Sequence, residues 1–258
     1  MKIIKWFCIV LVLMLAGPGT YATTSDDRND DWRTASRDSI GIAPDAANTQ
    51  EAIVQVYAAR AFRWRGYFAV HSWIAVKDEG APSYRTYEVV GWGVRRGGKA
   101  IRMHRGMPDR AWYGARPDLL ADLRGPEAAT AIEKIETAID TYPYQDSYTT
   151  WPGPNSNTFV AYVLRHVPEL RADLPPTAIG KDFLPGPDFA AITPSGTGGQ
   201  LSLFGLLGIA VGLEEGLEVN LLGLNFGIDP GELALRLPGF GVIGLNTDDH
   251  ESAITPAD

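Results

Sequence analysis

The hydrophobic period changes twice along this 258-residue chain, and the order of those periods constrains its fold more than any other feature. From Ala52 to Arg105 four short segments carry strand patterns, fully alternating in 68–77 and partly in 52–60, with Gly- and Pro-bearing connections between them. From Pro126 to Val167 apolar residues recur at helical spacing. From Gly198 to Leu245 they alternate again, in short leucine-rich runs punctuated by glycine. Strands, then helices, then strands predict an α+β chain built on antiparallel sheets.

The first strand region contains AIVQVYAAR (52–60), FAVHSWIAVK (68–77), YRTYEVVGW (84–92) and KAIRMHR (99–105). In the second of these, Phe68, Val70, Ser72, Ile74 and Val76 share one face. Ala69, His71, Trp73, Ala75 and Lys77 share the other. Apolar residues on both faces predict an interior strand. Ala128, Ala131, Ile132, Ile135, Ala138 and Ile139 then form the stripe of an amphipathic helix over 126–140, with Pro126 in its first turn. A loop dense in aromatics and prolines (142–154) leads to a second helix over 155–167, which Pro168 stops. In the last third, a phase change near Leu221-Leu222 suits a β-bulge. These strands are expected to supply a β core. The rival expectation is leucines exposed toward a membrane surface.

At the N-terminus, Lys2 and Lys5 precede the apolar run IVLVLML (9–15). Gly17-Pro18-Gly19 should break a helix, and Thr20-Tyr21-Ala22 ends small-x-small. That order reads as a secretory signal over 1–22, cleaved after Ala22. It implies an exported protein, periplasmic or, if the signal is retained as an anchor, tethered to the membrane and facing outward. The apolar run is about a dozen residues long, whereas a span needs roughly 20. Cys8 is the only cysteine. Cleavage would therefore leave no disulfide, no thiolate metal site and no cysteine nucleophile. The formal charge is −8. Loss of the two signal lysines makes the body more acidic still, which argues against nucleic acid as a partner. Residues 23–50 read as a flexible acidic spacer, 51–190 as the α+β core, 191–246 as a Gly/Leu-rich β region packed on it, and 247–258 as an acidic tail. No zinc, calcium or nucleotide signature occurs, so neither a metal nor a cofactor is implied.

Asn155-Ser156-Asn157-Thr158 opens the second helix. Such residues cap helices by accepting orphan backbone N–H groups. The same place also suits a nucleophile. A Ser156 hydroxyl would sit at the positive end of the helix dipole, beside N–H groups able to hold an oxyanion, and it would still need a base. His71 and His104 lie on strands, His166 far along the same helix and His250 in the tail.

A strand histidine, further strands, a helix, and then Asn-x-x-x-Phe-Val opening a helix resembles the permuted NlpC-type papain-like fold, which includes lecithin:retinol acyltransferase-like enzymes. Asn155-Ser156-Asn157-Thr158-Phe159-Val160 is similar to that family's Asn-Cys-x-x-Phe motif with serine at the nucleophile position, and His71 in HSWIAV is similar to its strand histidine. The resemblance covers about residues 50–170. It implies Ser156 as nucleophile, His71 as base, and Glu88 or His104 as the group orienting the imidazole. Asn155, Asn157, Trp73, Gln145 and Asp146 would line the cleft. Serine is a departure with consequences: thiol pKa values can be drawn below neutral, whereas a hydroxyl needs its base during attack. Two functions follow. One is a hydrolase or acyltransferase acting on an amide or ester of envelope peptide or lipid. The other is a non-catalytic envelope module that binds peptide or lipid in that cleft or through its Gly/Leu-rich strands. The whole chain also resembles an uncharacterised bacterial family, domain of unknown function 3750, which implies no activity.

Overall fold

A computed structural model describes residues 2–24 and 31–244. The acidic tail and His250 lie outside the described residues. Helix α1 (Lys2–Thr24) runs through Gly17-Pro18-Gly19 without the expected break. Gly17 packs so closely on Pro238 that no β-carbon would fit there, and Pro18 in turn abuts Gly239. Tyr21 meets the Tyr67 ring, and the Arg60 guanidinium lies over Tyr21. No described helix is long and apolar enough to cross a membrane.

The core carries the α+β architecture that the periods predict. Strands β1 (Ile53–Arg60), β2 (Val70–Lys77), β3 (Arg85–Val89), β4 (Ile101–Arg105) and β5 (Asp118–Arg124) form one antiparallel sheet in the order β4-β3-β2-β1-β5. Strand β5 is unforeseen, because DLLADLR lacks alternation and is half-exposed at an edge. Helices α2 (Gly125–Thr141) and α3 (Ser156–His166) cover one face. Val54, Val56, Ile74 and Val76 pack there against Ile132, Ile135, Phe159 and Val160. On the other face Ile53, Tyr57, Trp73 and Tyr84 form a second apolar cluster with Ala43, Ala46 and Ala115.

Ala43 and Ala46 belong to the stretch expected as a spacer. Its described part, 31–50, is packed instead. The buried carboxylate of Asp109 accepts hydrogen bonds from the Ser39 hydroxyl (2.7 Å) and the Ile42 and Ala43 amides (2.7 and 3.1 Å). A few polar contacts to a distant loop fix a segment that has no periodicity of its own.

Beyond α3 a meander of seven antiparallel strands follows in chain order: β6 (Ala190–Ile192), β7 (Gly199–Leu203), β8 (Leu207–Gly212), β9 (Gly216–Leu221), β10 (Leu224–Asp229), β11 (Ala234–Leu237) and β12 (Gly241–Gly244). The phase change at Leu221-Leu222 is a hairpin turn, not a bulge. Leu221 pairs with Leu224, and Leu222 and Gly223 both have left-handed φ (56° and 81°).

The expectation of a β core fails on orientation. The meander buries its polar face and exposes its apolar one. Glu218, Asn220, Asn225 and Arg236 point inward. Glu218 accepts from Lys181 Nζ (2.5 Å) and Arg236 Nε (2.6 Å), and Arg236 also donates to both oxygens of Asp173 (2.5 and 2.8 Å). Asp182 accepts from the Asn220 and Asn225 amides (2.8 and 2.9 Å). Charged network, not apolar contact, holds this sheet to the segment after α3.

Candidate functional site

Three places bear on function: the start of α3, a polar cluster on the far face of the first sheet, and the outer face of the second.

At the start of α3, Asn155 is the N-cap. Its side-chain oxygen accepts from the Asn157 and Thr158 amides (3.0 and 3.2 Å), and Thr158 Oγ1 accepts from the Asn155 amide (3.1 Å), which completes a reciprocal capping box. The Asn155 amide group donates to the carbonyls of Thr150 and Ile179. Asn157 accepts from Ser72 Oγ (2.8 Å) and donates to the Val70 and Ile179 carbonyls, tying the helix to β2. Ser156 is buried (4% exposed), and its hydroxyl makes no hydrogen bond among the described residues.

The expected dyad is not assembled. Side chains alternate along β2, so Val70 and Ser72 face α3 while His71 faces away. His71 stacks on Trp112 (3.7 Å between ring centroids), on the sheet face opposite Ser156. The sheet itself stands between nucleophile and base. Of the other cleft candidates, Gln145 donates to the Ile139 carbonyl (2.7 Å) and Asp146 is exposed.

His71, Glu88 and His104 do come together, away from Ser156. Glu88 on β3 and His104 on β4 share the His71 face. His71 Nε2 lies 2.7 Å from Glu88 Oε2, and His104 Nδ1 lies 3.6 Å from Glu88 Oε1. Arg110 donates to His104 Nε2, a contact that sequence spacing did not suggest. Burial and the Arg110 charge lower the His104 pKa from its usual 6.5, outweighing Glu88. Burial alone would raise the Glu88 pKa. The His71 hydrogen bond and the charges of His71, His104 and Arg110 outweigh it and hold the carboxyl below its usual range. Glu88, His104 and Arg110 border a cavity of about 270 Å³ that Trp73, Trp92, Trp112 and Tyr113 also line. Trp73 Nε1 donates to the Pro108 carbonyl (2.9 Å), which fixes its ring. No group of three His, Cys, Asp or Glu side chains is arranged to hold a metal among the described residues.

On the second sheet, strand pairing places Leu201, Ile209, Val219, Phe226, Leu235 and Ile243 on one face. Every strand position on that face is apolar or glycine. Leu201, Val219, Leu235 and Ile243 are each about half exposed (59, 47, 50 and 49%). At strand spacings of about 4.8 Å across and 3.4 Å along, seven strands of about five residues span roughly 30 by 17 Å. The turns extend the apolar surface. Phe204, Leu222 and Leu233 adopt left-handed φ (54°, 56° and 51°), which Gly or Asn would adopt at less cost, and all three are exposed.

Residues 51–183 match the model of one protein family, described as a protein of unknown function, DUF3750. No curated protein and no solved structure matches the chain. The matched segment contains the whole first sheet, both core helices and the His71 cluster, and it includes Asp173, Lys181 and Asp182, to which the meander is fastened. The chain belongs to the DUF3750 family.

Proposed function

We propose that the protein is an exported, non-catalytic module of the cell envelope that lies on a lipid surface through the outer face of its second sheet. The observation that carries this reading is the inverted sheet. A meander that ion-pairs its inner face to the core and leaves an unbroken apolar face outside has reversed the usual arrangement in water, where large contiguous apolar patches mark interaction surfaces. The turn residues support lipid as the occupant. Backbone strain at Phe204, Leu222 and Leu233 keeps bulky apolar side chains at the sheet's ends.

In this reading the first sheet with α2 and α3 on one face is a papain-like scaffold whose nucleophile position has become a capped helix turn. Among the described residues no base hydrogen-bonds the Ser156 hydroxyl and His71 faces away from it, so hydrolysis or acyl transfer by a Ser156–His71 pair is not part of the proposal.

Flotation with phosphatidylcholine vesicles tests it. The full chain should float with the vesicles and remain bound at 1 M salt, because apolar burial and not charge attraction would hold it to these zwitterionic headgroups. Replacing Leu201, Ile209 and Val219 together by glutamate should abolish flotation and leave the circular dichroism spectrum unchanged. A chain that stays at the bottom of the gradient, or a triple variant that floats equally well, would contradict the reading.

A further inference from the structure

We infer that the cavity beside Glu88 is a binding site for a sugar acid, a single pyranose ring carrying a carboxylate. The site is independent of the lipid-facing sheet and of Ser156.

The walls set the shape. Trp92 and Trp112 lie parallel, 4° apart in plane with centroids at 6.0 Å, and Trp73 closes a third side. His71 and Trp92 both stack on Trp112, so the indole left with a face for the flat C–H side of a pyranose is the exposed Trp92. Trp92 is 57% exposed and forms the outer rim. A volume of about 270 Å³ lies at the small end of ligand sites and holds one ring.

The polar groups set the chemistry. Arg110 and Arg37 both border the cavity. Each spends one nitrogen within the protein, Arg110 on His104 and Arg37 on the Trp32 carbonyl (2.7 Å). A guanidinium has five donors, so both can still receive a carboxylate. Glu88 holds His71 with Oε2, and its Oε1 has only His104 at 3.6 Å. That oxygen is an acceptor for a ligand hydroxyl. The Thr86 hydroxyl, on the same wall, is buried with no partner among the described residues. A buried hydroxyl and a carboxylate oxygen in want of donors select a ligand that carries hydroxyls and penalise a flat acid that has none.

Calorimetric titration of the full chain with glucuronate, glucose and benzoate tests the assignment. Glucuronate should bind saturably, and glucose and benzoate at least tenfold more weakly. Arg110→Gln should weaken glucuronate at least tenfold. Trp92→Ala, at an exposed rim position where folding is undisturbed, should do the same. The assignment is overturned if glucuronate does not bind saturably, if glucose or benzoate binds as well, or if both folded variants retain the parent affinity.

Discussion

Asn155 and Ser156 are neighbours with opposite expected sensitivities. Asn155 supplies two buried acceptor bonds to the helix start and two half-buried donor bonds to surrounding carbonyls. Asn155→Ala should cost about 1–2 kcal/mol from the cap alone, read as a lowered urea midpoint. Ser156 has no such partners, and Ser156→Ala should leave the urea midpoint unchanged or raise it, because a buried hydroxyl without a hydrogen bond contributes no stability. The charge cluster gives a second prediction at this scale. The folded-state pKa of His104 lies below its unfolded value of 6.5, so the unfolded chain takes up the proton more readily. Stability should therefore fall as pH drops from about 6.5 through the folded pKa. Arg110→Gln removes a cause of that shift and should make the acid-side loss shallower in urea midpoints measured between about pH 7.5 and 5. Glu88 is also lowered, and its contribution is lost further down, below its usual 4.5.

At the scale of elements, the strands around His71 and both core helices were legible because their periods differ and their apolar faces are continuous. The alternation in FAVHSWIAVK also contained the fact that decides the dyad: His71 and Ser72 must face opposite ways. What it did not contain was which face α3 would cover, since both faces are apolar. Strand β5 and the order in 31–50 were hidden for a related reason: edge pairing and the Asp109 contacts hold them, not a pattern of their own. The second sheet shows the limit of alternation most clearly. Strand periodicity was visible, but inward-facing apolar residues were assumed, and the burial of Lys181, Glu218 and Arg236 could be read only from their pairing. Glu218 bridges both cations, and although Arg236 keeps Asp173 and Lys181 keeps Asp182, Glu218→Ala should cost about 1–3 kcal/mol by removing one of two carboxylates from each buried charge. Calorimetric melting should show that loss in the region 181–244, with amide exchange accelerating there first.

For the whole molecule, the two sheets divide the work. The first carries a polar cluster and an aromatic cavity on one face and its helices on the other. The second is fastened through charges and turns a hydrocarbon-like surface outward. A stacked second copy would cover the strands alone, whereas the strained, exposed Phe204, Leu222 and Leu233 extend the patch beyond them, around the sheet's ends, which on the proposed reading meet lipid. The most direct test uses an environment-sensitive fluorophore on single cysteines in a Cys8→Ser background, placed at Val219 on the outer face or at Glu136 on α2. With phosphatidylcholine vesicles, emission from position 219 should shift to the blue and emission from position 136 should stay unchanged. No shift at 219, an equal shift at both positions, or a shift at 219 that depends on protein concentration and not on lipid would contradict the account.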